Sequence, residues 1–265
     1  MPTTIPAIVA IVLYLGAAAL LAAPITGCPH APRRLGLGAA VIAVLLHAFV
    51  LLGAHGGRLD LHFFAALSLV AGVVAALTLL VNVWRAVAGL GVIVFPLAAL
   101  LLALDIFIAP STRPQPIDWQ ITLHVAIALL SYSLLSIAAV LAILLALQER
   151  ALRSHHPIRL VQALPPLTQT EALLFRLIAT GFVGLTLTLL TGALFVHDVL
   201  GQHLAHIIVL SIIAWLIFGA LLWGRWRHGW RGTRAVNLTL AGMAVLALGF
   251  FGSKFVLEVI LQHRP

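Results

Sequence analysis

The stretch Phe195–Gly232, FVHDVLGQHLAHIIVLSIIAWLIFGALLWGRWRHGWRG, decides how the chain is read. It opens with a short polar segment carrying His197, Asp198 and His203. An apolar run of roughly 20 residues follows, headed by His206, the length that crosses a hydrocarbon core about 30 Å thick. It closes on a basic, tryptophan-rich turn holding Arg225, Trp226, Arg227, His228, Trp230 and Arg231. One end of the run offers imidazoles and the other offers fixed positive charge.

The rest of the chain repeats this pattern. Of 265 residues, 63% are hydrophobic and 8% charged, and mean hydropathy is +1.17. A soluble domain carries about 25% charged residues, so the composition describes an integral membrane protein. The formal net charge of +8 does not point to nucleic acid. The basic residues sit in short turns between apolar runs, not in a patch interleaved with base-stacking aromatics. One cysteine, Cys28, excludes an intramolecular disulfide and any CxxC motif, and reads as an inert thiol near a membrane surface.

Apolar runs place eight spans at 5–23, 35–53, 62–83, 87–108, 120–147, 172–196, 205–223 and 235–261. The first reads as a span and not a secretory signal, because it lacks a basic start and the turn PITGCPHAPRR (24–34) leads straight into another span. The expected fold is therefore all-α: one polytopic transmembrane domain over residues 1–265. In the turn 148–171, Pro165 and Pro166 break the helix, and Thr168 and Glu171 have capping-box spacing for the next one. Arg33, Arg34, Arg85, Arg150, Arg153, Arg159, Arg225, Arg227, Arg231 and Arg234 fall on one side of the membrane. The other side holds Arg58, Arg113 and Arg264. The positive-inside rule puts the richer side in the cytoplasm and both termini outside.

This topology sorts the twelve histidines. His30, His155, His156 and His228 fall beside arginines in cytoplasmic turns, where solvent or lipid headgroups meet them. His55, His62, His203 and His263 fall in or beside outer loops. His47, His124, His197 and His206 come from four helices and share one layer near the outer ends, His47 being the deepest at roughly 9 Å. A single intramembrane histidine often does no more than bond two helices together. Four in one layer are candidates for a shared cofactor. Imidazoles without thiolates suit zinc, copper, nickel or haem iron. A structural zinc site wants a tighter ligand set. Haem wants one or two axial imidazoles, an apolar slot and cations for its propionates. Arg58, Arg113 and Lys254 are candidate cations, although Lys254 is also spaced to pair with Glu258. Asp105, near the outer end of its span, is either a helix-end carboxylate or a partner that orients an imidazole. No phosphate loop, HExxH or GxSxG motif is present.

Four elements in order, HVAIALLSY (124–132), SIIAW (211–215), GWRGTR (229–234) and FFG (250–252), resemble the cytochrome c assembly family of CcsA/CcmC-like haem-handling membrane proteins. The resemblance covers roughly 110–262, and the eight spans with short loops look most like its YpjD-like branch. It implies haem at the outer face, held by axial histidines that flank a tryptophan-rich segment. His124 matches the first of these histidines. The tryptophan-rich position here reads HDVLGQHLAH (197–206), without tryptophan, and His263 is a loose match to the second histidine. The expectation is a multi-pass protein of the bacterial inner membrane that binds haem b. Its axial ligands would be His124 and one of His206, His197 or His47, with His124 and His206 the preferred pair on the iron. It would carry out no bond-breaking catalysis of its own, and its partners would be the lipid bilayer and other cytochrome-assembly proteins, with no nucleic acid. The alternatives are a His-lined transporter of a metal ion or small solute, and a ligand-free accessory subunit. A transporter should have helices broken near the midplane, for which Phe95-Pro96 is the one suggestive feature.

The arginine bias makes a direct prediction. A reporter active only in the cytoplasm, fused after Pro265, should give no signal, and strong activity would invert the topology.

Overall fold

In a membrane, a helix satisfies every backbone N–H and C=O within its own segment, and the described residues use little else. The computed structural model describes residues 3–26, 32–54, 61–84, 88–109, 118–154, 166–195 and 205–255. Among these lie eight α-helices: α1 (Thr4–Thr26), α2 (Arg33–Ala54), α3 (Phe63–Trp84), α4 (Ala88–Phe107), α5 (Trp119–Ser154), α6 (Leu167–Phe195), α7 (Ala205–His228) and α8 (Thr233–Ala247). α8 continues directly into a π-helical turn, Leu248–Gly252. Each of the eight is long and apolar enough to cross a membrane, α8 being counted together with its π turn. Large apolar side chains such as Ile5, Val83, Leu194 and Leu216 are exposed on their surfaces, as lipid-facing positions should be.

Three boundaries differ from the sequence expectation. α5 does not stop at 147. It runs 36 residues to Ser154, about 54 Å at 1.5 Å per residue. Residues 148–153 (QERALR) are strong helix formers with no Gly or Pro, so polarity ends the membrane crossing without ending the helix. For the same reason α7 continues through Arg225–Arg227 to His228. α6 begins at Leu167, immediately after Pro166, so Thr168 lies inside its first turn and caps nothing. Glu171, expected to complete a capping box, is buried and turned to two arginines. α4 runs unbroken through Pro96.

The chain divides into two units, Met1–Pro116 with Ser154–Pro166, and Ile117–Arg153 with Leu167–Pro265. In the first, α1 buries Ala7, Ala10, Tyr14, Ala17, Ala18 and Leu21, a helical stripe of mostly small residues. Such stripes let helices approach closely where lipid offers no hydrophobic drive for association. Ala7 and Ala10 join Val50 of α2 and Leu102 of α4 in one buried cluster. Polar closure comes from His47 on α2, which bonds Tyr14 of α1 and Ser68 of α3.

In the second unit, the Ser131 hydroxyl of α5 donates to the Gly181 carbonyl of α6 at 2.7 Å. A Cβ placed on Gly181 would come 2.7 Å from Leu135 Cγ. α7 joins α6 through Trp215, whose Nε1–H donates to Thr186 Oγ1 at 2.9 Å and whose ring stacks on Phe182. Phe218 of α7 packs against Gly242 of α8. The π turn meets α5 through an edge-on contact of Phe251 with Tyr132, with ring centroids 5.2 Å apart.

Gly181→Val should therefore overpack the α5–α6 crossing and cost about 1–3 kcal/mol, lowering the thermal midpoint in detergent by several degrees. Gly16→Val, where an added Cβ meets nothing within 4 Å, should leave it unchanged. Equal midpoints for both variants would remove this crossing from the packing scheme.

Candidate functional site

His124 lies in the second turn of α5 and is half-buried. Its Nδ1 is 2.9 Å from Thr191 Oγ1 near the end of α6. The Thr191 hydroxyl also reaches back to its own helix, with the Leu187 carbonyl at 2.8 Å and that of Thr188 at 3.1 Å. The Thr191 oxygen is thus shared between its own helix and His124, whose ring it holds through Nδ1. The other ring nitrogen, Nε2, has no hydrogen-bond partner among the described residues. Metal-binding histidines share this arrangement, one nitrogen bonded to a protein group and the other presented to the ion. Gly192 makes room for the ring, since a Cβ there would lie 3.2 Å from His124 Cε1.

Register carries further groups to the same end. Trp215 pairs with Thr186 across antiparallel α6 and α7, so His206, nine residues before Trp215, is level with Phe195, nine after Thr186. That is one helical turn beyond Thr191, about 6 Å along the axis. His206 is exposed in the first turn of α7. Phe195 faces Trp119 of α5, with ring centroids 6.4 Å apart. The π turn arrives here too, because Gly249 packs against Leu210 of α7. Just beyond it, Lys254 Nζ sits 5.6 Å from the Phe250 ring centroid.

The other expected residues belong to the first unit or lie outside the described residues. His47 belongs to the first unit and is fully buried, with Nδ1 3.2 Å from the Tyr14 hydroxyl and Nε2 3.0 Å from Ser68 Oγ. Both ring nitrogens are engaged, so His47 is bonded as a helix-packing residue. Asp105 is also in the first unit, buried near the end of α4. His197 lies outside the described residues, as do His55, His203, His263, Arg58, Arg113, Glu258 and Cys28. Among the described residues, no three His, Cys, Asp or Glu side chains converge as a metal cluster.

The opposite end of the second unit holds a centre the sequence did not announce. The Glu171 side chain, 3% exposed, accepts from Arg225 Nη1 at 2.8 Å and from Arg231 through Nε at 2.9 Å and Nη2 at 2.7 Å. These bonds, with the charge of Glu171, hold the Arg231 guanidinium still more firmly protonated than usual. Arg225 also lies over the Phe175 ring, 4.5 Å from its centroid. Thr-x-x-Glu ahead of an apolar run reads as a cap, and only the register of α6 against α7 shows that the carboxylate meets arginines.

The family model described as cytochrome C assembly protein matches residues 34–261. The chain belongs to this family. The match includes His47, His124, Glu171 and His206 and extends upstream of the region that carries the four motifs. Among relatives, the inner membrane protein YpjD of Escherichia coli (strain K12) is 39% identical over 137 residues, 52% of each chain. An uncharacterized 28.8 kDa protein of Azospirillum brasilense is 36% identical over 155 residues, 58% of this chain and 57% of its own. The cytochrome c biogenesis protein CcsA of Guillardia theta is 27% identical over 165 residues, 56% of this chain and 54% of its own. The chain thus spans about half the length of the curated relatives it matches. No solved structure matches it.

Within this family member, Glu171→Ala should cost about 2 kcal/mol. That is less than a fully buried pair would lose, because Arg225 and Arg231 are partly exposed. Glu171→Gln, which keeps one acceptor, should cost less than Glu171→Ala in the same thermal assay. Equal midpoints for wild type and Glu171→Ala would show that the ion pair contributes nothing.

Proposed function

We propose that this chain is a haem-handling protein of cytochrome c biogenesis in the inner membrane, and that it binds haem b at the His124 end of its second unit. The observation that carries the reading is the Thr191–His124 pair, which holds the ring through Nδ1; with the proton on Nδ1, Nε2 is the donor to the iron. In a cytochrome c assembly protein, a histidine prepared in this way fits an axial ligand to haem iron. His206 is the preferred second ligand, since it is level with the end of α6, and His197 is the next. Lys254 brings positive charge to this end for the propionates. Bound there, haem would supply the iron's redox and ligand-exchange chemistry. The chain's own contribution is to hold the imidazole through Thr191 and to set the aromatic pair Trp119–Phe195 at the same helix ends. On the arginine bias, this end faces away from the cytoplasm. The protein binds and passes on its ligand and catalyses no bond cleavage.

The test is the absorption spectrum of protein purified from haem-replete cells. Bis-imidazole ligation gives a low-spin Soret band and sharp α and β bands on reduction. His124→Ala should abolish these or convert the iron to high spin. Thr191→Val should keep the haem but loosen it by roughly tenfold and raise its reduction potential, because the ring loses the acceptor that makes it more basic. A colourless preparation, or a wild-type spectrum in His124→Ala, would overturn the assignment and leave His124 a packing residue like His47.

A further inference from the structure

The Arg-rich end of the second unit contains a cavity of about 670 Å³ that the haem reading does not use. Its walls are the ends of four spanning helices, at Arg153, Leu167, His228 and Thr233. The turn between α7 and α8 forms the floor. α7 ends with Gly229 at φ +66, while the Trp230 N–H closes back on the Gly224 carbonyl and the Gly229 N–H on that of Arg225. Gly232 at φ +56 then starts α8. Two left-handed glycines three residues apart thus hold Arg231 over the cavity, where Glu171 locks its Nε–Nη2 edge. The guanidinium is still 56% exposed, and its Nη1 is not among the bonds to Glu171.

The charge of the cavity is unbalanced. Arg153, Arg231 and Arg234 line it, against the carboxylates of Glu149 and Glu171. Glu171 is already shared with Arg225, which raises the surplus to two positive charges. Among the described residues, Arg153 and Arg234 have no carboxylate within ion-pair distance, and both side chains are exposed. Arginines converging on a concave wall suit the tetrahedral oxygens of a phosphate. The cavity also sits at the level where the spans end. Trp226, 77% exposed, and Trp223, 59% exposed, stand on the same helix end, as aromatics do at a membrane–water interface. A soluble anion would have no use for that belt.

We propose that this cavity binds the headgroup phosphate of an anionic glycerophospholipid. Arg153, Arg231 and Arg234 contact the phosphate, and Glu149 accepts from headgroup hydroxyls. A basic pocket at helix ends is the usual form of such a site. The Glu171–Arg231 pair holds the arginine in position and leaves its outer edge for the ligand.

The experiment uses the full chain in detergent, with lipid binding followed by native mass spectrometry and by thermal unfolding. Dioleoylphosphatidylglycerol should bind and raise the unfolding midpoint, whereas dioleoylphosphatidylcholine should not. Arg153→Gln with Arg234→Gln should weaken phosphatidylglycerol binding by about 30-fold, since each arginine near an anionic headgroup contributes a factor of about five. The lipid-free midpoint of this variant should match wild type, because both side chains are exposed. Arg227→Gln, exposed on the same helix end but outside the cavity, should bind like wild type. Four results would each overturn the proposal: equal binding of phosphatidylcholine, undiminished binding by the double variant, an equal loss in Arg227→Gln, or inorganic phosphate protecting as well as the lipid at the same concentration. The last would assign the cavity to a soluble phosphate.

Discussion

Hydrocarbon contains no water to complete a polar group's hydrogen bonds, so a polar side chain in a span is matched from its own helix, as Thr186 is by the Phe182 carbonyl, or from a neighbouring one. This constraint arranges the interior of both units. In the first, the Tyr14 and Ser68 hydroxyls occupy both nitrogens of His47 and tie three helices together. In the second, Thr191 matches one nitrogen of His124 and also reaches the Leu187 carbonyl of its own helix. Two intramembrane histidines of one chain thus differ in a countable way. Two partners on the ring make His47 a fastener between helices, whereas the His124 ring beside Gly192 has one among the described residues.

Antiparallel packing then separates the two polar centres of the second unit. The register that sets Thr186 against Trp215 also sets Glu171 against Arg225. His124, Thr191 and His206 consequently collect at one end, and the carboxylate–arginine centre at the other. Single interhelical hydrogen bonds in membranes contribute only about 0.6 kcal/mol on average. The close approaches at Gly181 and Gly242 therefore hold the helices together, and the polar contacts select which faces meet.

Much of this was legible in the sequence, because membrane crossing is written in apolar run length. The eight spans and the gathering of His124 and His206 near one set of helix ends followed from counting. Helix ends were less legible where the chain is polar but still helix-forming, as at 148–153 and Arg225–Arg227, because leaving the membrane and leaving the helix are separate events. Glu171 was misread since a capping glutamate and an ion-paired one have the same local sequence, and only tertiary register separates them. The engagement of His47 likewise depends on Tyr14 and Ser68, 33 residues before it and 21 after it. No period or spacing in a single segment reports partners at that distance.

The π turn at Leu248–Gly252 has a consequence for how the last span is numbered against its neighbours. A π turn accommodates one residue more than the α turn it replaces, which rotates everything after it by about 100°. A helical wheel drawn from Thr233 is thus valid only as far as Ala247, and at residues 253–255 it points one position out of phase. A relative lacking that extra residue would present different side chains to α5 and α7 from a sequence that otherwise aligns without a gap. In this chain, deleting one residue from Leu248–Gly252 would amount to a change of face rather than a change of length.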